Sequence, residues 1–198
     1  MKAYLATSNP GKARELKTIF ARSPLQLVIP RKLSPVVEDA ETYTGNAMLK
    51  AQALAAELHA RHLAAAVLAD DSGLEVDALD GRPAVESARY GGTAIDWHER
   101  RAALLAELRG VPPYRRTARF VCVLTLLQPG RDPMSAVGEV RGYILEAEAG
   151  TGGFGYDPLF FYPPLSRSFG TLSEKEKNAV SHRRRAADAL LAMLHERG

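Results

Sequence analysis

Ala64-Ala65-Ala66-Val67-Leu68-Ala69-Asp70-Asp71-Ser72-Gly73-Leu74 holds the sharpest contrast in the chain: six apolar residues, then two acids, a serine and a glycine. A short apolar run bounded by turn residues reads as a fully buried strand. The acids predict that the strand stops at Ala69. Open α/β sheets place their ligands beyond such strand ends. Neighbouring side chains of an extended segment point to opposite sides, so one carboxylate is expected to face a cleft while the other holds the turn. A carboxylate there can bind Mg²⁺, which takes oxygen ligands and keeps several waters. It can also orient or deprotonate an attacking water. The plain alternative is an Asp-Ser-Gly turn between strands. The other acidic pair, Glu38-Asp39, reads equally well as a solvated loop.

Upstream, Ala47, Ala51, Leu54 and Leu58 recur at helical spacing and predict a helix over 44–62. Residues 2–6 read as a strand and 10–22 as a helix, with Asn9 as N-cap, Pro10 at the first helical position, and Leu16, Ile19 and Phe20 on one face. A short strand is expected at 25–29. Downstream, the pattern predicts a helix over 96–109, a buried strand over 117–127, and a more polar strand over 135–148 as its antiparallel neighbour. Leu159-Phe160-Phe161-Tyr162 reads as a short strand closed by Pro163-Pro164, and 182–196 as a final helix. This alternation argues for an α/β domain with a mixed sheet. No repeat or low-complexity linker divides the 198 residues, so a single domain over 1–198 is expected.

Composition narrows the class further. A formal charge of +3 fits an anionic partner without pointing to nucleic acid. Cys122 is the only cysteine and lies in an apolar run, which reads as a buried strand position and excludes an internal disulfide. No apolar run approaches the ~20 residues needed to span a bilayer. Met1-Lys2-Ala3-Tyr4-Leu5-Ala6 does not read as a signal peptide. Cytoplasm is the expected location, with no membrane partner.

Three further segments carry chemistry. Thr7-Ser8-Asn9-Pro10-Gly11-Lys12 joins a strand to a helix N-terminus, where backbone N–H groups, hydroxyls and Lys12 suit a phosphate. It lacks the P-loop pattern, and simple helix capping explains it too. Gly150-Thr151-Gly152-Gly153-Phe154-Gly155-Tyr156-Asp157-Pro158 contains G-x-G-x-x-G, but a strand rather than a helix follows, so it is no dinucleotide fingerprint. It reads as a flexible loop whose backbone approaches a ligand, with Phe154 offering a ring to a base, or as a Gly-rich hairpin. Finally, Lys175-Glu176-Lys177 and Ser181-His182-Arg183-Arg184-Arg185 put cations at a helix N-terminus, against the helix dipole. That suggests an anionic or carbonyl-bearing ligand, the alternative being a solvated basic face.

The order of these blocks is more specific than any one of them. Thr7 through Glu15, Asn46-Ala47-Met48-Leu49-Lys50-Ala51, Ala69 through Leu74, Ser87-Ala88-Arg89-Tyr90, Gly150 through Pro158, Glu176-Lys177-Asn178 and Ser181-His182-Arg183 together resemble the inosine/xanthosine triphosphate pyrophosphatase family. The resemblance covers nearly the whole chain. It implies a mixed α/β fold with a long central sheet, two lobes with a cleft between them, and a homodimer. It also implies Mg²⁺-dependent attack of water on the α-phosphorus of a non-standard purine nucleoside triphosphate (ITP, dITP or XTP), giving monophosphate and pyrophosphate.

By the same resemblance, Thr7, Ser8, Asn9, Lys12 and Lys50 bind the triphosphate. Asp71 is the general base and a metal ligand, Glu38 is the other metal acid, and Ser72 lies beside the substrate. Phe154 stacks on the base within the loop Phe154-Gly155-Tyr156-Asp157. Lys177, His182 and Arg183 address its 6-oxo group. Two positions depart from the family pattern: Gly45 stands where a glutamate is usual, and Arg184 where a glycine is. The competing readings are a Maf-like nucleotide pyrophosphatase, whose opening motif does not match Ser8 through Lys12, and a non-catalytic nucleotide or RNA binder, which needs no Asp70-Asp71.

Overall fold

The computed structural model describes residues 1–197. Its strands are β1 (Lys2–Ala6), β2 (Gln26–Val28), β3 (Ala66–Val76), β4 (Thr117–Leu127), β5 (Met134–Ile144), β6 (Phe160–Tyr162) and β7 (Arg167–Ser168). Its helices are α1 (Pro10–Phe20), α2 (Tyr43–Ala60), α3 (Trp97–Glu107), α4 (Glu174–Val180) and α5 (His182–Glu196). The strands form a seven-stranded sheet in the order β2-β1-β3-β4-β5-β6-β7. β1 pairs in parallel with both β2 and β3, while β5–β6 and β6–β7 are antiparallel. The sheet is therefore mixed, as the alternation of elements predicts.

The chain divides into two compact units, each assembled from separate segments. Of the described residues, the first comprises 1–71, 122–138 and 182–197; the second comprises 72–121 and 139–181. The first unit's core gathers Leu5, Leu16, Phe20, Leu68, Leu124 and Leu190, with Cys122 fully buried among them. A smaller cluster packs Ala51, Leu54 and Leu58 of α2 against Val67 and Ala69 of β3. The second unit's core is aromatic: Phe160 lies 5.0 Å from Phe169, and Phe120 lies 4.5 Å from Phe160, between ring centroids.

Most element positions agree with the sequence reading, and the differences have physical causes. β3 does not stop at Ala69 but continues through Asp70-Asp71-Ser72-Gly73 to Val76. The acids stay in the strand because cations answer their charges, so no turn is needed to bring them to water. The helix α4 was not expected, although Ser173-Glu174-Lys175-Glu176 spells a capping box. Ser173 Oγ accepts from Glu176 N, and Glu176 Oε2 accepts from Ser173 N at 2.8 Å. Its seven residues are too few for apolar periodicity to register. Among the described residues no helix is long and apolar enough to cross a membrane.

Candidate functional site

In the first unit, parallel pairing sets the geometry. The register Leu5↔Leu68 and Ala6↔Ala69 ends β1 beside the acids of β3, so the turn after β1 adjoins Asp70. That turn is tightly capped. Asn9 Oδ1 accepts from Gly11 N at 2.9 Å and Lys12 N at 3.1 Å, and Thr7 Oγ1 accepts from Asn9 N at 3.3 Å. Two amides that the sequence reading offered to a phosphate are thus met by Asn9, the capping role that was its alternative. Ser8 is exposed, and Thr7 keeps a hydroxyl proton to donate.

The two acids face different cations, as strand alternation requires. Asp70 is fully buried, with one oxygen 3.2 Å from Lys12 Nζ and 3.7 Å from Arg183 Nε. Arg183, in the first turn of α5, also donates to Glu15 Oε2 of α1 at 2.9 Å. Asp71 Oδ1 accepts from Lys50 Nζ at 3.0 Å, and the same ammonium donates to Glu38 Oε2 at 2.8 Å. Asp71 Oδ2 is buried and has no hydrogen-bond partner among the described residues. The structure thus joins Glu38, Lys50 and Asp71 in one constellation, and Lys12, Asp70 and Arg183 in the next.

Their protonation follows from these neighbours. Burial alone would raise the Asp70 carboxyl, but Lys12, Arg183 and Lys50 outweigh it and hold its pKa below the usual carboxylate value. For Asp71 burial prevails over the pull of Lys50 and Lys12, and its pKa lies above the ordinary value. Burial opposes the charge on Lys50, yet Asp70, Asp71 and Glu38 keep its pKa above the lysine norm. One acid is held firmly ionised and its neighbour is the better proton acceptor. Pairs whose environments push their pKa values apart mark acid–base assignments.

The second unit carries the Phe154 loop. Asp157 Oδ2 accepts from Phe154 N at 2.7 Å and from Lys177 Nζ, and both side chains of that ion pair are buried. Lys177 Nζ also stands 4.6 Å from the Phe154 ring centroid, within cation–π range. The loop is pinned elsewhere: Gly155 O accepts from Arg101 Nη1 of α3 at 2.8 Å, and Tyr156 donates to Ser87 O at 3.1 Å. Gly150 has φ +83°, and a Cβ there would sit 2.2 Å from Gly170 O. A side chain at Gly153 would meet the Asp157 carboxylate at 2.1 Å. These glycines are required by the loop's own packing, where the sequence suggested flexibility.

Among the expected site residues, Tyr156 and Asp157 are buried and hold the loop, while Phe154 remains partly exposed. Ser72 is partly exposed in β3. His182 is buried in the first turn of α5 and belongs with Arg183 to the first unit, whereas Lys177 belongs to the second. Arg184 pairs with Asp188 one turn along α5, at 3.4 Å, so its charge is answered within the helix. Gly45 has Ala40 Cβ 2.6 Å from where its own Cβ would be, so the glutamate usual in the family would meet Ala40. The sequence reading missed Arg101 and Glu15. Glu15 closes the block Thr7 through Glu15, but an acid on a helix gives no sign of a partner 168 positions away.

Fold and site together define a class: an α/β protein with a buried carboxylate–lysine centre on β3 where the parallel neighbour β1 ends, and an aromatic, cation-backed loop. Comparison with known proteins narrows that class. The chain belongs to the Ham1 family, whose model matches residues 3–193. It is 42% identical to a dITP/XTP pyrophosphatase of Listeria monocytogenes over 192 residues, 96% of this chain and 92% of that protein. It is 44% identical to a dITP/XTP pyrophosphatase of Geobacillus kaustophilus over 189 residues, 94% of this chain and 90% of the relative. Among solved structures, the Staphylococcus aureus Ham1 protein superposes with a TM-score of 0.84 at 35% identity, covering 100% of both chains. A HAM1 protein of Coxiella burnetii gives 0.86 at 32% identity, covering 99% of each.

Proposed function

We propose that this protein hydrolyses non-standard purine nucleoside triphosphates, dITP, ITP and XTP, to the monophosphate and pyrophosphate. The observation that carries the reading is the Glu38–Lys50–Asp71 constellation, in which a raised-pKa carboxylate keeps one buried oxygen unpaired among the described residues. The names of the relatives, dITP/XTP pyrophosphatase, support the substrate class.

Lys12, Lys50, Thr7 and Ser8 bind the phosphates, and Asn9 keeps the turn in shape through its cap. Asp71 takes the proton of the water that attacks the α-phosphorus. Asp70, held ionised between Lys12 and Arg183, fixes those cations in place. Ser72 lies next to Asp71 in β3 and borders the reacting phosphate. Mg²⁺ fits this donor set, since one or two carboxylates plus substrate phosphates suffice for it. Asp71 and Glu38 would hold it, and when bound it polarises the phosphate and neutralises charge on the leaving pyrophosphate.

In the second unit Phe154 stacks on the base, and Lys177, oriented by Asp157, donates to its 6-oxo group. His182, in the first unit, is assigned to the base by the resemblance alone. Arg183 has a 6-oxo contact by resemblance, but its two buried carboxylate partners support a framework role instead. An ammonium only donates, so it matches a 6-oxo group and leaves a 6-amino group unpaired. Sites built on such contacts reject the wrong partner strongly. We further propose that the chain works as a cytoplasmic homodimer, with light scattering as the measure of its mass.

Asp71→Asn tests the assignment. Turnover is expected to fall by about two to four orders of magnitude, as for a lost general base, while nucleotide binding persists. A variant that still turns over dITP at the wild-type rate refutes the role of Asp71.

A further inference from the structure

A cavity opens beside the Thr7–Ser8 turn, lined by none of Glu38, Lys50 and Asp71. It has a volume of about 550 Å³ and is walled by α1 and by the segment that follows β2. Arg14 and Lys17 project into it from α1, three residues apart and so on one helix face. Arg31 and Lys32 line the other wall. No acidic residue lines it, and Lys17, Arg31 and Lys32 have no ion-pair partner among the described residues. All four cations are exposed. Arg82, Arg89, Arg119, Arg141 and Arg167, by contrast, each have a glutamate within 3.1 Å, and what sets the groove apart is that four cations gather on its walls. A groove walled by one sign of charge concentrates counter-ions of the other sign.

The same groove is lined by Thr7 and Ser8, the residues given above to the triphosphate. A phosphate chain bound at that turn has these basic walls beside it. We propose that this groove is a subsite for longer phosphate chains, and that the enzyme accepts nucleoside 5′-tetraphosphates of the same bases. The proposal rests on the pyrophosphatase reading. Water attacks the α-phosphorus and the bond from that phosphorus to the α–β bridging oxygen breaks. Inorganic triphosphate leaves with the bond's electron pair, and the water's proton passes to Asp71. The products are nucleoside monophosphate and inorganic triphosphate. No oxidant or second reactant is needed.

Arg31→Ala/Lys32→Ala tests the subsite, because both residues are exposed, lie outside helices and strands, and are apart from the residues assigned to the triphosphate. The first readout is binding of inorganic triphosphate and of pyrophosphate by calorimetry. The wild type is expected to bind triphosphate more tightly, and the double variant to lose about tenfold in triphosphate affinity, the scale of two exposed charge contacts. Pyrophosphate affinity should stay within about twofold. The second readout is kcat/KM for inosine tetraphosphate and ITP: the variant's value should fall on the tetraphosphate and hold on ITP. Equal losses on both ligands, or wild-type triphosphate binding no tighter than pyrophosphate, overturn the subsite. So does tighter binding of a single-stranded oligonucleotide that disappears in the same variant, which would make the groove a nucleic-acid surface. If the wild type fails to turn over ITP while the triphosphate binding pattern holds, the pyrophosphatase reading fails and the polyphosphate groove stands.

Discussion

Glu15→Gln leaves the Arg183 guanidinium facing a neutral amide 2.9 Å away, with both side chains more than nine-tenths buried. Removing one partner of a buried ion pair costs about 3–5 kcal/mol, because the remaining charge stays desolvated. Here the lower end applies, since Asp70 still stands 3.7 Å from Arg183 Nε. A loss of about 3 kcal/mol in a chain of this size lowers Tm by roughly 6–12 °C. The assay is thermal unfolding followed by circular dichroism. The paired replacement Glu15→Leu with Arg183→Met removes both charges and should cost much less than the two single changes summed, giving a coupling of about 0.5–3 kcal/mol. If Arg183 works as framework, Arg183→Met lowers Tm while the ratio of dITP to ATP turnover holds. A Glu15→Gln variant within about 2 °C of wild type, together with an Arg183→Met variant that accepts ATP, would refute the framework argument and restore Arg183 to the base.

Other consequences follow from single contacts. Lys50→Met removes the ammonium shared by Glu38 and Asp71 and should reduce kcat/KM by at least about a hundredfold, while leaving two carboxylates to repel each other; steady-state kinetics decides, and a change below about threefold counts against the constellation. Tyr156→Phe deletes the 3.1 Å hydrogen bond to Ser87 O and should cost about 1 kcal/mol, read by urea unfolding. Gly138→Ala puts a Cβ 2.2 Å from Ala186 N and 2.3 Å from His182 O, so α5 must be displaced from β5 and soluble yield should collapse; a wild-type melting curve would contradict that packing. Burial raises the Cys122 thiol well above its ordinary pKa, so the reactive thiolate is suppressed and iodoacetamide should label it at pH 8 only after unfolding. Mass spectrometry of native and denatured protein checks that last point.

What the sequence disclosed, and what it withheld, follows from the range of each interaction. β4 coincides with the strand expected at 117–127 because its apolar run needs no partner to be recognised. Asn9 and Pro10 marked the start of α1 because capping is decided within four residues. The acids of β3 misled because their cations arrive from distant segments, Lys12 from α1, Lys50 from α2 and Arg183 from α5. Without those charges in view, Asp70-Asp71 looks like a strand end. Similarly, Arg183 reads as a ligand-binding cation until Glu15 and Asp70 are seen to enclose it. The Gly-rich loop was placed correctly, but its glycines proved to be demanded by Gly170 and Asp157.

Product analysis on purified protein with Mg²⁺ bears most directly on the pyrophosphatase assignment. dITP, XTP and ATP are supplied separately, and pyrophosphate and orthophosphate are quantified independently. Pyrophosphate as the primary product from dITP and XTP, with little turnover of ATP, is the predicted result. Orthophosphate as the primary product would contradict attack at the α-phosphorus, and equal turnover of ATP would contradict a base site built on donors to a 6-oxo group.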